Sequence, residues 1–242
     1  MKHMILFLTI FTLLASAAIA DVPDEFTNLK VFPKDIGKRK LVDAMRSFSM
    51  ALGMRCISCH EIKTPGDYST IDWASDKLHN KEVARGMMKM TQEINSNLLP
   101  AATGEHDFSV RCVTCHRGVE NPRTLDNVLL KVIGKDGVEA GVTKYRELRE
   151  NYYGSGSYDF TPMTLTTVAE ILAQERADMA GARQLIQLNL EMNPEHADSY
   201  LMLAQMDIAS GDKDAARANI NKALEIAPES GHAKRMLQQV DQ

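Results

Sequence analysis

Over residues 40–52 apolar side chains recur at Leu41, Met45, Phe48 and Leu52, the three-and-four spacing of an amphipathic helix. Gly53 stands where such a helix would stop. A second stripe, Val83, Met87, Met90 and Ile94, predicts a helix over 82–97, and Pro100, Gly104 and Asp107 mark the loop that follows it. Beyond about residue 122 the texture changes. Residues 125–153 read as a degenerate helical pair, joined through the flexible Gly154-Ser155-Gly156-Ser157 to further helical hairpins. No convincing strand pattern interrupts these elements, so the expected fold class is all-α.

Chemistry enters with the cysteines. All four fall in two copies of one pentapeptide, Cys56-Ile57-Ser58-Cys59-His60 and Cys112-Val113-Thr114-Cys115-His116. C-x-x-C-H is the attachment site of c-type haem, in which both thiols form thioethers to the porphyrin and the histidine becomes the proximal iron ligand. A zinc ribbon would bring two cysteine pairs to one ion across about 15–20 residues, whereas 52 residues separate Cys59 from Cys112. Thioredoxin-like chemistry would place a single C-x-x-C in a βαβ unit. The expected cofactors are two covalently bound haems c, held by Cys56, Cys59, His60, Cys112, Cys115 and His116.

The first twenty residues carry Lys2 and His3, an apolar run over 4–14 and the small-x-small sequence Ala18-Ile19-Ala20. This is the pattern of a secretory signal cleaved near Ala20, which leaves a secreted or periplasmic chain beginning at Asp21. An uncleaved N-terminal anchor is the alternative. The formal net charge of −4 for the whole chain becomes −5 once Lys2 is removed, which argues against nucleic acid and favours a basic redox partner.

Each iron also needs a sixth ligand or an open site. Met45 lies 11 residues before Cys56 and Met90 lies 22 before Cys112, so either thioether can reach an iron if its helix turns back along the porphyrin. A methionine on an apolar stripe equally serves as core filler, and Met87, about 60° from Met90 around a helix, is the nearer rival at the second site. His79 and His106 suit surface or capping roles better than ligation. Arg55 and Arg111 could pair with haem propionates or face solvent. Trp73 could pack on a porphyrin edge or fill core.

The segments Leu29-Lys30-Val31-Phe32-Pro33-Lys34, Met45-x-x-Phe48, Leu52-Gly53-Met54-Arg55-Cys56, Ala84-Arg85-Gly86-Met87-Met88-Lys89-Met90 with Ile94-Asn95, and Val110-Arg111-Cys112 through Gly118 together resemble the cytochrome c subunit family of photosynthetic reaction centres over about residues 25–122. The resemblance implies that a helix before each motif delivers an axial methionine, Met45 to the first iron and Met90 to the second. The best-known members carry four haems in two pairs and some carry a lipid-anchoring cysteine; this chain has motifs for one pair and lacks that cysteine.

Tyr200, Leu203, Ala204, Gly211, Ala216, Ile220, Ala223 and Pro228 fall at the spacings of a 34-residue tetratricopeptide-like unit, and a weaker unit ending at Pro194 includes Ala182 and Ile186. The expected layout is a signal (1–20), a dihaem domain (21–122), a helical connector (123–162) and a repeat domain (163–242). The expected function is one-electron transfer between redox proteins, a reaction centre or a respiratory complex among them, with the repeats offering a docking surface or a structural cap. A dihaem peroxidase, which needs an openable iron, and a repeat scaffold with structural or sensory haems are the competing classes.

Overall fold

The computed structural model describes residues 22–104 and 107–241. The signal expected over 1–20, its cleavage near Ala20, and His106 lie outside the described residues. The chain divides into two compact units, Met1–Glu120 and Asn121–Gln242, and the class is all-α.

In the first unit α1 spans Lys38–Leu52. Gly53 ends it in the left-handed conformation (φ 64°), with its N–H donating to the Ser49 carbonyl. This position admits no side chain, since a Cβ here would lie 2.2 Å from the Gly118 carbonyl oxygen. The close approach lets the Gly118 N–H reach the Ala51 carbonyl at 2.9 Å, satisfying one of the acceptors that a helix end leaves open.

After a 3₁₀ turn over Cys56–Ser58, two short strands pair antiparallel. They are β1 (Glu61–Ile62) and β2 (Ile71–Asp72), in the register Glu61 with Asp72 and Ile62 with Ile71. This corrects the expectation of no strand beside the motifs: two residues are too few to show an alternating pattern. The hairpin is held by its turn, where the Asp67 carboxylate accepts from the Ser69 N–H at 3.0 Å and the Ser69 hydroxyl at 2.6 Å.

Helix α2 covers His79–Glu93 and runs into a π turn over Ile94–Leu98, followed by α3 (Leu99–Thr103) and α4 (Cys112–His116). The π turn directs Asn95 across the intervening loop, where its amide donates to the Val110 carbonyl (2.8 Å) and accepts from the Val110 N–H (2.7 Å). The segment entering the second motif is thereby fixed at both backbone polar groups.

The second unit contains α5 (Leu125–Asp136), α6 (Val138–Tyr152), α7 (Pro162–Glu175), α8 (Met179–Met192), α9 (Ala197–Ser210), α10 (Lys213–Ile226) and α11 (Gly231–Val240). Helices α8 and α10 begin 34 residues apart, as do α9 and α11. Asp178, Asp212 and Ser230 cap α8, α10 and α11 by accepting from the backbone N–H three residues on, which satisfies donors the first turn cannot. Residues 123–162, expected as a connector, share a core with the helices that follow: Leu125, Leu129 and Tyr145 are buried with Leu165, Val168, Leu185 and Ile186. A second cluster joins Leu201, Ala204, Ala216, Ile220, Ala223 and Met236. Buried Asp207 on α9 ties three helices together, accepting from Arg183 of α8 at 2.6 Å and Asn219 of α10 at 2.7 Å.

The first unit is built differently. Among its described residues the buried apolar side chains are Leu41, Ala51 and Val119, and neither core cluster includes any of them. Among the described residues no helix is long and apolar enough to cross a membrane.

Replacing Gly53 by alanine should destabilise the first unit by at least about 1–2 kcal/mol, the usual cost of a left-handed non-glycine residue, with a further loss from the displaced Gly118 carbonyl. Urea unfolding followed in each unit should show the first transition shifted down and the second unchanged.

Candidate haem site

Both motifs are wound into a single turn, so the first cysteine, the second cysteine and the histidine fall on one face. In the first motif the N–H groups of Cys59 and His60 donate to the Cys56 carbonyl at 3.1 and 2.9 Å. In the second the motif is itself α4. Each motif is gripped by the helix that precedes the other one. Helix α1 meets the second through the Gly118–Ala51 bond, and α2 holds the first through Asn80, whose side-chain amide donates to the Ser58 carbonyl at 3.2 Å.

Between these elements lies a cleft lined by Phe48, Leu52 and Met54, by Asn80, Val83, Ala84, Met87 and Met88, and by Cys59, Cys112, His116 and Glu120. It gathers thiols from both motifs and one motif histidine against an apolar wall. Cys56 and Cys115 are exposed. Met45 is half-buried on α1 and Met90 is 47% exposed on α2, and neither lines the cleft. Met87, the rival of Met90 in the sequence, does line it. Among the described residues no three His, Cys, Asp or Glu side chains gather into a metal-binding group, so the cysteine pairs do not converge on a single ion as a zinc ribbon requires.

The histidines give the clearest test of fit to haem. His60 Nδ1 faces the Trp73 carbonyl at 3.2 Å and His116 Nδ1 faces the Val119 carbonyl at 3.0 Å. A carbonyl can only accept, so Nδ1 carries the proton in both rings and Nε2 of the neutral imidazole is left with a free lone pair. That is the tautomer an axial ligand needs, held by the backbone bond that metal-bound histidines commonly make. His60 is also kept neutral by its surroundings. Burial lowers its proton affinity most, the Lys81 ammonium adds to this, and the Trp73 carbonyl pulls the other way. Burial likewise raises the Cys59 pKa, with Glu120 adding to the effect, so Cys59 is held as a thiol.

Trp73 is more than filler. Its ring stands edge-on to His60 with centroids 5.0 Å apart, while its carbonyl fixes the tautomer. His79 opens α2, and Arg55 and Arg111 each occupy the N-cap of a motif turn.

Sequence reading missed a charged network beside the first motif. Arg85, 8% exposed, bonds Asp76 at 2.8 Å and Glu82 at 2.9 Å. Lys30 reaches Asp76 at 2.6 Å, and Lys81 lies 3.6 Å from it. The available signals were Arg85 and Lys30, each inside a segment that carries the family resemblance; the spacing of Asp76 and Lys81 follows no motif.

A profile of the photosynthetic reaction centre cytochrome C subunit matches residues 66–193. The chain belongs to that family. The matched span contains the second motif and continues through α5 to α8, leaving the first motif outside it, whereas the resemblance read from sequence covered about 25–122. Family membership identifies a c-type cytochrome with covalently bound haem. The photosynthetic reaction center cytochrome c subunit of Roseobacter denitrificans is 40% identical over 67 residues, which is 28% of this chain and 17% of that relative. The match thus spans about a sixth of the relative's length.

Arg85, and after it Lys30 and Asn28, hold the Asp76 carboxyl far below the usual carboxylate range. A depressed carboxylate contributes stability above its unfolded pKa of about 3.9, and this is lost as pH falls towards the folded value. Denaturant unfolding at fixed pH should therefore show a loss of stability in the first unit below about pH 4 that is smaller in Asp76→Asn. Equal acid dependence in the two proteins would remove Asp76 from this role.

Proposed function

We propose that the chain is an exported dihaem c-type cytochrome that carries single electrons between redox proteins. The observation that supports this best is the matched treatment of His60 and His116. Two rings in two separate motifs each have Nδ1 committed to a backbone carbonyl and Nε2 left as a ligand, beside cysteines that share one cleft. Haem supplies the ferric–ferrous couple.

In this reading Cys56 and Cys59 fix one porphyrin and Cys112 and Cys115 the other. His60 and His116 would each give an imidazole to an iron, and Met45 and Met90 a thioether. Thioether ligation favours the ferrous state and raises the potential relative to bis-histidine ligation. Phe48, Leu52, Val83 and Ala84, which line the cleft, would shield a bound porphyrin from water. The convergence of Cys59 with Cys112 and His116 puts the two porphyrin attachments within one cleft, suited to electron exchange between them. With a methionine on each iron neither would be open to substrate, which would separate a carrier from a peroxidase. The physiological partner is then a reaction centre or another membrane redox complex outside the cytoplasm, and the tetratricopeptide-like hairpins of the second unit offer it a docking surface.

The protein matured in a host that attaches haem should retain two haems per chain under denaturing conditions, and Cys112→Ala with Cys115→Ala should reduce this to one. Bound zinc, or haem extracted by acid and solvent, would contradict the reading.

The sixth ligands are tested separately. Met90→His should lower one midpoint potential while that haem stays six-coordinate, and Met87→Leu should leave the thioether-to-iron absorption of both haems intact. Loss of that absorption in Met87→Leu, and not in Met90→Leu, would move the second ligand to Met87.

A further inference from the structure

The Trp73 carbonyl serves two donors. His60 Nδ1 approaches it at 3.2 Å and the Lys81 ammonium at 2.8 Å. Lys81 also donates to the Ser75 carbonyl at 2.7 Å, so its head is fixed by two backbone oxygens, and its side chain is only 12% exposed. These partners all belong to the segment beside the first motif. The second histidine rests on a different carbonyl, that of Val119.

We propose that Lys81 is a positioning residue that raises the redox potential of the first haem relative to the second, acting through the carbonyl it shares with His60. The proposal rests on the reading that His60 is a proximal ligand. Its physics has two parts. An imidazole donating Nδ1–H to a strong acceptor gains electron density at Nε2 and stabilises the ferric iron. An ammonium on the same oxygen draws on its lone pairs, so the carbonyl accepts less strongly from His60 and the ring becomes a poorer donor to iron. The second part is direct: a buried positive charge close to the ring favours the state of lower iron charge, the ferrous one.

The surrounding charges do not cancel this. Asp76 lies 3.6 Å from Lys81, yet it is bonded more closely by Arg85 at 2.8 Å and Lys30 at 2.6 Å. Glu82 is taken by Arg85 at 2.9 Å. Three cations thus face two carboxylates, and the donor touching the Trp73 carbonyl is one of the cations. Of the other nearby acids, Glu61 is bonded by Lys77 at 2.6 Å and by the Ser75 hydroxyl at 2.8 Å, and Asp72, whose charge also acts on Lys81, is paired with Lys63 at 3.1 Å.

The test is a redox titration of the haem-loaded full chain, compared with Lys81→Met, Lys81→Gln and Lys81→Arg. In Lys81→Met one midpoint should fall by about 59 mV, a tenfold change in the ferrous-to-ferric ratio at fixed potential for a one-electron couple. The other midpoint should stay where it was. Lys81→Arg, which keeps the charge, should hold both midpoints near those of the unmodified protein. If the methionine variant does not load haem, Lys81→Gln is measured instead and should show the same one-sided fall. Two unchanged midpoints, or two that fall together, would overturn the role of Lys81. Haem stoichiometry, measured on the same samples, keeps the questions apart: one haem or none in the unmodified protein would overturn the dihaem reading itself.

Discussion

A unit of about a hundred residues must bury apolar surface to offset the entropy of ordering its chain, and the first unit of this protein keeps very little of that surface for itself. Its buried apolar residues among those described are Leu41, Ala51 and Val119. Seven of the ten large apolar side chains left exposed among the described residues are in this unit, Val83, Met90 and Val113 among them, so the shortfall is one of arrangement and not of composition. Phe48, Leu52, Met54, Val83, Ala84, Met87 and Met88 line a cleft instead of closing into a buried core. In the dihaem reading the porphyrins complete this core, and covalent attachment through four cysteines makes them as permanent as side chains.

The polar structure of the unit serves the same end. Imidazole binds iron only through an unprotonated nitrogen, and at His60 and His116 a backbone carbonyl accepts from the Nδ1–H, which leaves Nε2 of the neutral ring unprotonated. The crossed arrangement, in which α1 grips the second motif and α2 the first, means that neither motif is positioned without the other half of the unit. The contact at Gly53 and the bond from Asn80 to the Ser58 carbonyl are two places where this crossing is fixed, while the paired bonds from Asn95 to Val110 tie the end of α2 to the segment before the second motif. The second unit needs no such help: helix caps, small residues between helices and the Asp207 bridge give it a core of its own.

Much of this was legible in the sequence because it is written in local spacing. The C-x-x-C-H pairs, the stripe through Leu41 and Leu52, the stop at Gly53 and the small residues Ala204 and Ala216 each depend on near neighbours. The charged network was not legible, because Lys30 meets Asp76 only after the chain folds back over 46 residues and the Asp76–Arg85 pair spans a loop and the start of a helix, at no fixed spacing. The β1–β2 hairpin was too short to leave a pattern. Asn95 gave no sign of its role, since a π turn adds one residue to a helical repeat and redirects a side chain that ordinary periodicity would place elsewhere. Met90 sits on the predicted helix, but its exposure and the placement of Met87 in the cleft are matters of rotation about that helix, which sequence spacing resolves only to within a residue or two.

If haem completes the core of the first unit, cofactor and fold are inseparable there and independent in the second unit. Hydrogen exchange on the chain made without haem attachment, compared with the haem-loaded protein, tests this most directly. The expected result is strong protection of α5 to α11 in both forms, with protection of α1, α2 and α4 only in the loaded one. Equal protection of α1, α2 and α4 in the two forms would show that the first unit folds on its own residues, and would contradict a core completed by haem.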